Sequence, residues 1–240
     1  MNDLTYGSKR TKEWRWRKAN GISLYTPAAP VRDHIIALNE LNVTDRMIGQ
    51  AADCTRQYVR QIADGSTQRI RNQIAHRILA VTHHPHPNQS MVLGVGAGRR
   101  IRSLNAIGWP TSALAEMLDI GTTVALNNTT RRVHITYERW AAIRDLYERL
   151  SGTPGPRPGT HLRARSRSVG PLAWEGVDID HPNTQPDWSA AGVKQVDRPV
   201  CINGHRRTPE NTFHDNRGHR QCRDCRKAAE KRKAAKRAAA

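Results

Sequence analysis

Thr44-Asp-Arg-Met-Ile-Gly-Gln-Ala-Ala-Asp-Cys-Thr55-Arg-Gln-Tyr-Val-Arg-Gln-Ile-Ala-Asp-Gly65 is the stretch whose reading decides the fold. Thr44 and Thr55 are helix-capping residues, each placed just before a short run with apolar residues at helical spacing. Met47, Ile48 and Ala51 mark the inner face of one helix. Val59 and Ile62 mark that of the next, which Gly65 ends. Between them a tight turn falls at Asp53, where glycine is usual and aspartate is tolerated because it accepts a left-handed backbone. Small Gly49 and Cys54 suit one helix crossing closely over the other. The pattern predicts a helix-turn-helix, with a supporting helix upstream through Val31, Ile35, Leu38 and Leu41. A plain helical bundle would carry the same apolar stripe.

What separates the two readings is the outward face of the second helix. Arg56, Gln57, Arg60 and Gln61 point away from its apolar side, and Thr55 stands at its start as the cap. Arginine and glutamine read guanine and adenine edges through paired hydrogen bonds, so these five are the candidate base-contacting residues.

The pattern repeats. An offset of 66 residues lays Leu38 on Leu104 and, without a gap, Asn39 on Asn105, Leu41 on Ile107, Ile48 on Leu114 and Asp53 on Asp119. A duplicated helix-turn-helix follows. Flanking helices correspond too, one bearing Ile74, Ile78 and Val81, the other Trp140, Ile143, Tyr147 and Leu150. In the second copy Ala125 and Asn128 are expected in the places of Val59 and Ile62. Its outward residues Thr122, Thr123 and Asn127 include no arginine, which suits phosphate contact or packing better than base reading.

Near the C-terminus, Cys201, His205, Cys222 and Cys225 read Cys-x3-His, a gap of sixteen residues, then Cys-x2-Cys. Zinc prefers thiolate and imidazole in a closed tetrahedron, and two close-spaced pairs let a short segment build it without a large core. Turn formers Pro209, Asn211, Asn216 and Gly218 suit one hairpin between the pairs, and an Ala/Lys/Arg run follows the last cysteine. The expected order is knuckle, hairpin, helix, as in treble-clef fingers, with Zn2+ as cofactor. His214 and His219 are alternative ligands for the fourth position.

Composition agrees with a polyanion partner. The 240 residues carry 39 Lys plus Arg against 21 Asp plus Glu, a formal charge of +18, which favours nucleic acid through counterion release. The basic runs lack the apolar face a membrane surface requires, and no stretch approaches a spanning length. The first thirty residues carry charge where a signal peptide is apolar, and Cys54 has no evident disulfide partner. These features predict a cytoplasmic, nucleoid-associated protein.

The expected class is mainly α, with a basic arm over 1–30 and a first helix-turn-helix domain over 31–82. A His/Pro linker over 83–97 precedes a second such domain over 98–152. A Pro/Gly/Arg-rich linker over 153–199 leads to a zinc finger with a basic helix over 200–240. Lys9 and Arg10, in an arm with Trp14 and Trp16, are candidate phosphate contacts. Arg163, Arg165 and Arg167 fall in the loose connection, where Pro171-Leu172-Ala173-Trp174 can dock locally.

The two helix-turn-helix units resemble a family of DNA-binding proteins of actinobacteria and their phages. The features that carry the likeness are the run from Arg69 to Val81, Ile107-Gly108-Trp109, and the stretch from Pro171-Leu172-Ala173-Trp174 to Asp178-Ile179-Asp180. The resemblance covers most of residues 14 to 182 and implies a DNA-binding regulator with no catalytic residue. The cysteine-histidine tail separately resembles short fingers appended to phage proteins, some related to HNH nucleases.

A nuclease reading would draw on His214, Asn216 and His219, but the helix after Cys225 offers no His or Asn to complete a catalytic metal site. The function expected is therefore sequence-specific binding of double-stranded DNA by a repressor-like transcription regulator of phage or prophage type. The alternatives are an HNH-type nuclease and a nonspecific packaging or adaptor protein. Two units in one chain can do as a monomer what dimeric regulators do with two chains, and an oligomer is left open.

Overall fold

The computed structural model describes residues 4–157, 168–190 and 200–238, apart from 202, 204 and 216–219. Arg163, Arg165, Arg167, Asn216, Gly218 and His219 lie outside the described residues, as does the side chain of Arg10. The chain is mainly α, with three two-stranded sheets among the described residues. It divides into two compact units, Met1–Gly94 with Val133–Trp140, and Val95–Arg132 with Ala141–Ala240.

The first unit opens with α1 (Leu4–Ala19), so the stretch expected as an arm is helical. It continues through β1 (Tyr25–Pro27), α2 (Ala29–Glu40), α3 (Asp45–Ala51), α4 (Arg56–Ala63), β2 (Arg69–Arg71) and α5 (Asn72–Leu79). The expected caps form: Thr44 Oγ1 accepts from Met47 N at 3.3 Å and Thr55 Oγ1 from Tyr58 N at 3.2 Å. Such caps satisfy backbone donors that the first helical turn leaves open. Val31, Ile35, Leu38, Met47, Ile48, Val59, Ile62 and Ile78 are buried together with Ala52. Gly49 has a steric role, since a Cβ there would lie 2.7 Å from Cys54 O. That contact lets α3 close on the turn, where Cys54 N donates to Gly49 O at 2.8 Å. Gly65 follows α4 at φ +85, the left-handed position that ends the helix.

β1 pairs antiparallel with β2, Thr26 opposite Ile70. Three residues are too few for an alternating pattern to show, so the sequence did not reveal this ribbon. The expected spacer over 83–97 is also more ordered than a linker. Buried Gln89 donates to Met47 O at 3.1 Å, and Ser90 N donates to Gln50 Oε1 at 3.1 Å. From Met91 the backbone is already β3 (Met91–Leu93), paired with β4 (His134–Thr136).

Helices α6 (Val95–Ala106) and α7 (Thr111–Met117) of the second unit sit 66 residues after α2 and α3, end for end. Asn42 and Gly108, also 66 apart, both take positive φ, 68 and 104. The gapless register then fails at α8 (Thr123–Thr129). Its cap, Thr122, lies 67 residues after Thr55, because Ile120 and Gly121 stand between Asp119 and Thr122 where Cys54 stands alone in the first copy. Leu126, fully buried, therefore fills the place of Val59. Ala125 and Asn128, expected there, are exposed.

Helix α9 (Tyr137–Leu150) begins in the first unit and continues in the second, where Ile143, Leu146, Tyr147 and Leu150 are buried. Residues 168–190 are not the loose connection expected of them. Pro171–Trp174 form a 3-10 turn, and Asp180 makes a buried two-pronged pair with Arg100 at 2.7 and 2.8 Å. Arg99 donates to four carbonyls, of Ile179, His181, Pro182 and Thr184, at 2.6 to 2.9 Å. A Cβ at Gly96 would lie 1.8 Å from Asp180 Oδ1, so only glycine admits this pair. The unit closes with β5 (Thr212–His214), β6 (Arg220–Cys222) and α10 (Arg223–Ala238).

Candidate nucleic-acid face and metal centre

Helix α4 owes its sidedness to four exposed polar positions and two buried apolar ones, behind the cap Thr55. Val59 and Ile62 are fully buried, while Thr55, Arg56, Gln57, Arg60 and Gln61 are all exposed. The five candidate contacts thus share one solvent-facing surface at and beyond the N-terminus of a short helix. Arg60 lies 3.8 Å from Asp45 Oδ2, and Asn39 Nδ2 donates to the other oxygen of that carboxylate at 3.1 Å. The Arg60 side chain keeps 68% of its exposure, so this long contact neutralises its charge little.

Asn42, Thr44, Arg46, Arg56, Arg60 and His134 border a cavity of about 520 Å3 beside this surface. His134 Nε2 lies 2.7 Å from Asn42 O, which ties β4 to the turn before α3. Sequence reasoning missed Asp45, Arg46 and His134 here. An acid in the first turn of a helix reads simply as a favourable end charge, and His134 is distant along the chain. Asp64 beyond the helix is held below the usual carboxylate range by hydrogen bonds from Ser66, with Arg60 and Arg32 adding to the effect.

In the second copy Thr122, Thr123 and Asn127 are exposed as expected. Thr122 is occupied in part as the cap, accepting from Ala125 N at 3.1 Å. Beside them Val124 is 64% exposed, so the face is neutral and partly apolar. On α1, Lys9 is exposed, and Trp14 and Trp16 stand in solvent with Lys18 Nζ 5.2 Å from the Trp14 ring centre.

The metal ligands come from three elements. Cys201 N donates to His205 O at 2.9 Å, and Val200 bridges Arg206, which closes a knuckle around the first pair. β5 pairs with β6, Thr212 opposite Cys222, and α10 carries Cys225 in its first turn. Phe213 anchors that helix to the hairpin, with the guanidinium groups of Arg223 and Arg226 5.5 and 5.6 Å from its ring centre. Asn211 joins all three parts: its Nδ2 donates to Arg206 O, its Oδ1 accepts from Asp224 N, and its carbonyl accepts from Arg223 N. Its sequence signal was that of a turn former only.

Cys201, His205, Cys222 and Cys225 bring one ligand atom each within 4.8 Å of one another and can hold a metal ion. Cys201 Sγ lies 3.5 Å from both His205 Nδ1 and Cys225 Sγ. His205 Nδ1 is 3.2 Å from Cys225 Sγ and 3.8 Å from Cys222 Sγ. Bonds of about 2.3 Å to sulfur and about 2.0 Å to nitrogen give a tetrahedron with edges of about 3.5 to 3.8 Å, and the separations of 3.2 to 3.8 Å lie close to it. A disulfide would need sulfurs about 2.05 Å apart, and all four cysteines are free. Burial works to raise the Cys201 thiol, yet hydrogen bonds from Asn203, Cys225, His205 and Cys222 bring it below its ordinary value. Asn203 Nδ2 also donates to Cys225 Sγ at 3.2 Å, but burial first, and then Cys201 and Cys222, hold that thiol above its ordinary value. His214, the alternative ligand, is an exposed strand residue outside this cluster.

Searches against protein-family models, curated proteins and solved structures found no match to the chain. Among the described residues no helix is long and apolar enough to cross a membrane.

Proposed function

We propose that the chain is a sequence-specific double-stranded DNA-binding protein, a repressor-like transcription regulator of phage or prophage type. In this reading α3 and α4 are a helix-turn-helix and α4 enters the major groove. The observation that carries it is the division of α4 into a buried apolar side and an exposed side of Arg56, Gln57, Arg60 and Gln61. Paired donors and acceptors of this kind discriminate base edges, whereas a formal charge of +18 supplies the sequence-independent attraction.

The second copy follows the same order of elements with a neutral outward face, and we assign it phosphate contact or packing. The C-terminal cluster is assigned as a structural zinc site. Three thiolates and one imidazole make a closed set with no position left for substrate, and zinc would supply the folding energy that a hairpin and one helix lack. Cys201, His205, Cys222 and Cys225 would hold it.

Selection from a random DNA pool, followed by binding measurements on the enriched and a scrambled duplex, tests the assignment. Enrichment of one motif, bound at least about a hundredfold more tightly than the scrambled duplex, is the expected result. Equal affinity for both would replace the regulator with a packaging protein.

A further inference from the structure

The second unit contains a cavity of about 570 Å3 whose chemistry the DNA-binding reading does not use. Arg99, Arg102, Arg206 and Arg207 line it, and no carboxylate does among the described residues. Four guanidinium groups around one cavity repel each other. Burial, and then the charge of Arg102, hold Arg99 below its ordinary value, with Asp180 and Asp178 opposing.

Neutral polar groups around the cavity are also unpartnered. Ser103 Oγ, Trp174 Nε1 and Trp188 Nε1 are buried without a hydrogen-bond partner, and all three belong to residues that line this cavity. A buried donor with no acceptor is costly, and native structures contain few. Ser103 is only 1% exposed, so bulk water does not reach it freely. The walls are also fixed in place. Arg99 is spent on the four carbonyls of the 179–184 loop and covers the Trp174 ring at 5.0 Å, while Arg207 donates to Val200 O and Arg220 O at 3.4 Å. Arg206, and Arg102 with one long bond to Thr130 O at 3.5 Å, are exposed and left to meet a ligand.

We propose that this cavity binds a small phosphorylated organic anion of nucleotide size. Guanidinium forks match phosphate oxygens in pairs, and hydroxyl and indole N–H groups donate to phosphate, sugar or base oxygens. The volume lies in the range of small-ligand pockets and exceeds what an inorganic anion fills. The proposal stands apart from the DNA reading, since its residues come from α6, the 168–190 segment and the knuckle, and none from α4.

Isothermal titration of the full chain with the four nucleoside monophosphates, inorganic phosphate and an unphosphorylated nucleoside tests it, at about 0.15 M salt to screen surface charge. At least one monophosphate should bind saturably, at least tenfold more tightly than inorganic phosphate, with no binding of the nucleoside. Arg102→Gln and Arg206→Gln should each weaken that binding at least tenfold with an unchanged melting profile. Ser103→Ala should weaken it less. Failure of all four monophosphates to bind overturns the proposal, as does binding that Arg102→Gln and Arg206→Gln leave intact. Displacement of bound nucleotide by any duplex, one for one, would make the cavity part of a DNA surface and would equally overturn it. Loss of sequence selectivity in α4 variants with nucleotide binding retained would bear on the DNA reading alone.

Discussion

Asp53 and Asp119 stand 66 residues apart and both hold a left-handed backbone at φ 50. Each follows the C-cap of a seven-residue helix, Ala52 after α3 and Leu118 after α7, so one unusual torsion recurs at the same step of two equivalent chains of elements. Non-glycine residues seldom adopt it, and aspartate does so at lower cost than alanine or a β-branched residue. A shared strained position is stronger support for duplication than shared leucines, which any two amphipathic helices would have.

Asp119→Ala should therefore lower stability by about 1 kcal/mol, whereas Asp119→Gly should be neutral or stabilising. Thermal unfolding followed by circular dichroism distinguishes them. Asp53 is a less clean test, because it also pairs with Arg77 at 2.9 Å.

The Arg100–Asp180 pair has side chains 7% and 10% exposed, so removing one partner strands a buried charge. Asp180→Ala should cost about 3–5 kcal/mol. Limited proteolysis should then cut within 168–190 at protease levels that leave the parent chain intact there. Unchanged protection would show that the Arg99 bonds alone hold the segment.

For the metal cluster, the purified chain should contain about one zinc, and Cys222→Ser or Cys225→Ser should lose it and unfold the region after residue 200. Elemental analysis and circular dichroism give the two readouts. Full metal content in both variants would reject the ligand set.

On DNA, Arg56→Ala and Arg60→Ala should each cost about 1–3 kcal/mol on the selected motif and less on random duplex. Neutralising Lys9 and Arg10 should weaken both nearly equally and flatten the salt dependence. In the proposed mode Asp45→Asn should alter preference at the base that Arg60 contacts, since it removes the charge 3.8 Å from that guanidinium. Equal losses on both duplexes for Arg56→Ala would move base reading away from α4.

Cys54 is half-buried, and its thiol is raised above the ordinary value, by burial first, with Arg77 opposing and Asp53 adding. A raised value leaves less thiolate at neutral pH. Alkylation of Cys54 at pH 7.5 should be slower than that of a free thiol and should accelerate as pH rises toward 9 and above. A rate equal to that of a free thiol would contradict this environment.

Much of the helical layout was legible because it rests on local rules. Thr44 and Thr55 cap helices by bonding a backbone N–H three residues on, and Val59 and Ile62 are buried because helical geometry puts them on one side. Ligand spacing likewise marked the four metal residues, since their two pairs are each local. What escaped was set by partners far along the chain or by single-residue shifts. One extra residue after Asp119 turned Leu126 inward and Ala125 outward, a change no offset fitted to the upstream leucines could show. The 168–190 segment reads as loose because its order comes from Arg99 and Arg100, about eighty residues away, and not from hydrophobic periodicity. The sequence by itself determined the helices between Val31 and Ile62, which side of each is apolar and which four side chains can meet a metal, because those depend on spacing within a few turns. Only the tertiary structure decided that Asp45 lies beside Arg60, that Asp180 fits against a glycine to reach Arg100, and that unpartnered donors gather among four arginines, because those depend on distance in space between residues the chain keeps apart.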